Sequence, residues 1–142
     1  RIYKRTINKT HKNEMKYLSN YMQEKQTELF NKTGTIFAFS QEQFNEKAKK
    51  DIKYVNLGQG MLTPDENYIE VIETLEKIYK DSIKQDLEEN GKDKIILREL
   101  LNHEAFYVGS IEDTIHKLED YPITEDEISF IYQKNWAKYS DY

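Results

Sequence analysis

Apolar positions recur at helical spacing from about residue 12 to residue 31, where Met15, Leu18, Met22 and Leu29 share one face with Tyr21 beside them. Gly34 follows as a left-handed C-cap. The run Thr35-Ile-Phe-Ala-Phe39 is β-branched and aromatic and too short for a helix, so it predicts a strand with Phe37 and Phe39 on one core-facing side. Ser40 with Gln43 three residues later has the form of a capping box and opens a short helix through Phe44 and Ala48. Lys53-Tyr-Val-Asn-Leu57 predicts the next strand, which ends at Gly58-Gln-Gly60.

The strongest helix start is Thr63-Pro-Asp-Glu66, with Thr63 as cap, proline at the first helical position and Glu66 closing a box. Ile69, Ile72, Leu75, Tyr79, Ile83 and Leu87 carry that helix to the stop at Asn90-Gly91. A further helix is expected from Asp93 to Tyr107, ending at Gly109. Ser110 with Asp113 then caps a short helix bearing Ile111, Ile115 and Leu118. Pro122 marks a turn, and Thr124 with Glu127 boxes the start of a last helix carrying Ile128, Ile131, Tyr132, Trp136 and Tyr139. The expected fold is α+β and predominantly helical, with about six helices and a small two- or three-stranded sheet in the N-terminal half. Both prolines stand at element boundaries and no repeat or low-complexity linker divides the chain, so 1–142 reads as a single domain, with 1–12 a flexible basic arm.

Composition alters this picture in three ways. Hydrophobic residues are only 37% of the chain, but 11 Tyr, 6 Phe and 1 Trp supply bulk that Val and Leu do not. Cysteine is absent, which removes disulfides and thiolate metal sites, and no apolar run approaches a membrane span or a signal peptide, so a cytoplasmic location and no membrane partner are expected. The net charge of −5 is unevenly spread: residues 1–53 carry 12 Lys/Arg against 6 Asp/Glu, and residues 54–142 carry 9 against 20. Arg1, Lys4, Arg5, Lys9 and Lys12 form a basic arm with the composition of a nucleic-acid contact; a solvated terminus, or one packed on acidic surface of its own or a second chain, is the simpler account.

Candidate chemistry concentrates in Glu99-Leu-Leu-Asn-His-Glu104. If the helix is continuous, Glu104 shares a face with Leu100, Leu101, Tyr107 and Val108, and a carboxylate there needs a partner. His103 has Glu99 one turn before it, an arrangement able to poise an acid–base pair or hold a metal. Asn102 and, across the turn at Gly109, Glu112 or Asp113 would complete a polar cluster of Glu99, Asn102, His103, Glu104 and Asp113. The competing account is a structural network fixing an angle between two helices, and it is preferred, because no HExxH signature and no second histidine at ligand spacing accompany the cluster. No metal, cofactor or catalytic residue is therefore assigned. Gly58 and Gly60 have the look of a phosphate loop without its third glycine or its Lys-Ser/Thr, so a tight turn or bulge is preferred there.

Phe37-Ala-Phe-Ser40 with Glu42-Gln-Phe44, Leu57-Gly-Gln-Gly60, the Glu99–Glu104 stretch with Tyr107-Val-Gly109, and Glu112-Asp-Thr114 together resemble a family of small uncharacterised proteins carried by bacteriophages, plasmids and other mobile elements. The resemblance covers roughly residues 35–120 and departs at Ser110, where an acidic residue is expected. It implies an accessory protein in the cytoplasm of a bacterial host and supplies no catalytic residues. Three functions of different class are consistent with the chain. The foremost is a non-enzymatic protein that binds and inhibits a host or anti-phage defence component, with self-association open. The others are a small nucleotide- or metal-binding module built on His103 and the glycine loop, and a nucleic-acid binder acting through the basic arm.

Overall fold

Leu18, Tyr21 and Leu29 are buried along one side of α1, Leu18–Thr33, while its other faces carry Lys, Glu and Gln. The computed structural model describes residues 16–140 of the chain; Met15 and the basic arm of Arg1, Lys4, Arg5, Lys9 and Lys12 lie outside the described residues. Gly34 adopts φ 73° as C-cap of α1, a conformation that costs a side chain-bearing residue about 1–2 kcal/mol. Ile36–Phe37 is β1, and α2 is Gln41–Lys47, where the Ser40 hydroxyl accepts from Gln43 N at 3.2 Å and the Gln43 amide accepts from Phe39 N at 2.7 Å.

Tyr54–Gly58 is β2 and Met61–Pro64 is β3, paired antiparallel as Val55 with Thr63 and Asn56 with Leu62, with an irregularity between Asn56 and Gly58. β3 also pairs with β1, Ile36 opposite Leu62, giving the order β1-β3-β2. Gln59 at φ 52° and Gly60 at φ 80° form the two-residue turn, whose positive angles suit the right-handed twist of a hairpin. Thr63 is thus a strand residue and not a helix cap: its hydroxyl bonds Thr35 at 3.0 Å and it is fully buried. After a 3-10 turn over Asp65–Asn67 the long helix α3 begins only at Tyr68 and runs to Asn90. Its buried positions are Val71, Ile78, Ser82, Ile83 and Asp86, one helical stripe, whereas the expected core residues Ile69 and Ile72 are exposed.

The helix expected over 93–107 is two helices, α4 Lys92–Asn102 and α5 Ala105–Val108, followed by α6 Glu112–Lys117 and α7 Glu125–Tyr139. Thr124 and Glu127 make the expected reciprocal box at the start of α7, while Ser110 bonds Glu112 N and Ile111 is the cap residue of α6. Seven α-helices and a three-stranded antiparallel sheet among the described residues make the fold α+β and predominantly helical. No described helix is long and apolar enough to cross a membrane.

Contacts gather the chain into two compact units, Tyr17–Ser82 and the stretch from Ile83 onward together with Lys16. In the N-terminal unit Leu29, Val71 and Ile78 form the core, with Met22, Phe30, Leu57, Met61 and Leu75 packed around them. Phe39, expected in that core, is 74% exposed and lies across Gly60, because the strand ends at Phe37. In the C-terminal unit Ile95, Ile96, Leu100, Leu118 and Ile128 are almost fully enclosed.

Candidate functional site

Asp86, the last buried position of the α3 stripe, puts a carboxylate where the pattern calls for an apolar side chain. On α4, Arg98 and Glu99 are likewise buried beside Ile95, Ile96 and Leu100. These three charges meet. Arg98 Nη1 and Nη2 donate to the two Asp86 oxygens at 2.8 and 3.0 Å, a bidentate fork, and Arg98 Nε donates to Glu99 Oε2 at 2.7 Å. Nη1 also reaches the Lys16 carbonyl at 3.0 Å. Asn90 Nδ2 and the Tyr121 hydroxyl donate to the same Asp86 carboxylate, so four bonds converge on it.

The electrostatics follow from burial and pairing. Burial alone would raise the Asp86 carboxyl, but hydrogen bonds from Arg98, Tyr121 and Asn90, with the guanidinium charge, hold it below the ordinary carboxylate range. Burial alone would lower Arg98; its bonds to Asp86 and the charge of Glu99 raise it instead. Tyr121 is pushed up by burial and by the Asp86 carboxylate that it bonds.

Of the residues singled out in the sequence, Glu99 and His103 come together. Glu99 Oε1 faces His103 Nε2 at 3.7 Å, a charge contact when the imidazole is protonated and too long for a hydrogen bond. Neither atom has a hydrogen-bond partner among the described residues. Thr114 donates to the Glu99 carbonyl at 3.3 Å, which braces α6 on α4. Asn102, Glu104 and Asp113 do not join this group; all three are exposed. Glu104 in particular does not enter the apolar face. The helix stops at Asn102, His103 caps it, and Glu104 takes a left-handed conformation at φ 53°, so the chain turns and Ala105 and Phe106 occupy the buried positions. Gly60 forms the hairpin turn of the other unit with Gln59, and Gly58 is the last residue of β2.

Asp86, Arg98 and Tyr121 are not among the candidate residues of the sequence, where Asn90 stands only as part of a helix stop. The signal was present for Asp86, which continues the Val71, Leu75, Ile78, Ser82 stripe at helical spacing, and for Arg98, which lies between Ile96 and Leu100. Among the described residues no group of three or more His, Asp or Glu side chains is arranged to hold a metal.

A second feature of the same unit lies on its surface. Phe106 stacks on Tyr132 at 5.0 Å and lies 5.3 Å from Tyr139, and Tyr132 meets Trp136 edge-on at 5.5 Å. Trp136, 45% exposed, extends this cluster into solvent, and the exposed Tyr107 and Val108 follow Phe106 in α5. Leu101, Glu104, Phe106 and Tyr107 line a groove of about 370 Å³.

No curated protein and no solved structure matches the chain. A family model does match, over residues 18–138, and its span extends beyond both ends of the motif-bearing stretch. The chain belongs to that family, described as a family of unknown function, DUF7659.

Proposed function

We propose that this protein is a non-enzymatic accessory protein of a bacteriophage or mobile element that binds a protein of the host or of its anti-phage defence, with the aromatic face of the C-terminal unit as its contact surface. The observation that carries this reading is the exposure of Trp136 on the aromatic cluster of Phe106, Tyr132 and Tyr139, with the exposed Tyr107 next to Phe106 in the chain. Large aromatic side chains on ordered elements bury much area at small entropic cost and are enriched where binding energy concentrates. The buried charges support a structural use, since Asp86 and Arg98 spend their hydrogen-bonding capacity on each other and on neighbouring groups. The mobile-element setting rests on the motif resemblance of residues 35–120.

Affinity capture from bacterial host extract at physiological salt tests it, with the Tyr107→Ser/Trp136→Ser double variant alongside. The full chain should retain one partner in near-stoichiometric amount, and the double variant should retain it at least roughly tenfold less well. Equal retention by the variant, or no retained partner, overturns the assignment.

A further inference from the structure

The N-terminal unit carries a second concavity, unrelated to the aromatic face. It is a cleft of about 400 Å³ between the end of α1, the end of α2 and the start of β2, and the charged residues lining it are Lys32, Lys47, Lys49 and Glu66. Counting Glu70, which pairs with Lys32, three lysines stand against two carboxylates here, in a chain of net charge −5. Two of these lysines are held. Lys47 Nζ donates to the Phe37 carbonyl at 2.6 Å, which fixes its head and leaves two N–H donors, and Lys32 is anchored on Glu70 at 3.0 Å.

A fourth donor is positioned by packing. Tyr54, half-buried in β2 and part of the lining, has its ring set edge-on against Phe44 at 5.8 Å. Its oxygen accepts from Lys49 N at 3.1 Å, and its own proton has no acceptor among the described residues. The phenol therefore keeps a proton to donate, and the backbone bonded to its oxygen is that of a lining lysine. Phe30, Ile36 and Ile52 supply apolar wall. Lysine and tyrosine donors beside apolar wall, in a volume within the usual range for small-ligand sites, fit an anionic head with an apolar or aromatic body.

We propose that this cleft binds a phosphate-bearing ligand, with Lys47, Lys49 and the Tyr54 hydroxyl on the phosphate and the Phe30 side of the cleft against the remainder. Phosphate is the anion whose several oxygens use separated point-charge donors together with a hydroxyl. The same chemistry is offered by a free nucleotide and by the backbone of a single strand, and titration separates them. The full chain is titrated by NMR with ATP and, separately, with a short oligothymidylate at fixed ionic strength. Residues 47–54 should shift saturably. Lys47→Gln/Lys49→Gln, both exposed positions, should weaken the response about tenfold or more, and Tyr54→Phe by less, with unchanged circular dichroism. Tighter binding of ATP assigns the phosphate to a small ligand, and tighter binding of the oligothymidylate assigns it to a strand. Absence of a saturable shift with either probe, or an equal shift in the lysine double variant, overturns the site.

Discussion

Residues 83–140 enclose a guanidinium and two carboxylates among their apolar side chains, whereas residues 17–82 hold their buried polar chemistry in uncharged hydroxyls. In the N-terminal unit Thr33 donates to the Leu29 carbonyl at 2.8 Å, so it must accept from Thr35, and Thr35 in turn accepts from Thr63. The result is a one-way chain of hydroxyls from β3 through Thr35 to α1, each link neutral and each donor used once. The C-terminal unit has no such economy. Arg98 and Asp86 lose their hydration, recover it through a bidentate pair, and depend on Tyr121, Asn90 and Glu99 to fill what is left. Hydroxyl chains fix neighbours at small risk; buried ions fix them at large risk, because losing one partner strands the other.

That contrast can be broken most directly at Asp86. Asp86→Ala leaves the Arg98 guanidinium buried without its main acceptor and is expected to cost about 3–5 kcal/mol in urea denaturation. Hydrogen exchange should place that loss in amides of 95–131 before those of 54–64. Equal loss in both stretches would erase the distinction between the units. At the other end of the comparison, Thr35→Val interrupts the hydroxyl chain without stranding a charge. It should cost only about 1–2 kcal/mol by the same measurement, and a loss as large as that at Asp86 would show that the hydroxyls carry more than local packing.

The smallest effect appears only on acidification. Because the Asp86 carboxyl is held below its ordinary value of 3.8 in the folded chain, its contribution is present above that value and is lost as pH falls through the folded one. Stability measured against pH should therefore drop in acid, and Asp86→Asn should flatten the part of the drop that belongs to this group. An identical acid limb in that variant would assign the drop to other carboxylates.

Much of the architecture was legible in the chain because its signals are local. Gly34, the Ser40 and Thr124 starts and the period of α1 and α7 depend on neighbours within a turn or two. Thr63-Pro64 failed as a helix start for the opposite reason. Its threonine has a better use across the sheet, opposite Val55 and bonded to Thr35, and that pairing partner is 28 residues away. Glu104 was misplaced because helical phase was carried through a break that no Gly or Pro announces; the left-handed residue is Glu104 itself. The polar cluster was half visible. Glu99 and His103 are one turn apart, a spacing legible in one sequence, whereas the bonds of Asp86 to Arg98 and to Tyr121 join separate elements that no local pattern brings together.

The reach of Arg98 bears on the order in which this chain leaves the ribosome. Its partners lie 82 residues before it at Lys16 and 12 before it at Asp86, and Asp86 is bonded in turn by Tyr121 across 35 residues. Every threonine of the hydroxyl chain has been synthesised by residue 63, but the full set of bonds to Asp86 is complete only once Tyr121 has emerged. Translation thus brings out the uncharged half of the buried chemistry before the charged half is complete.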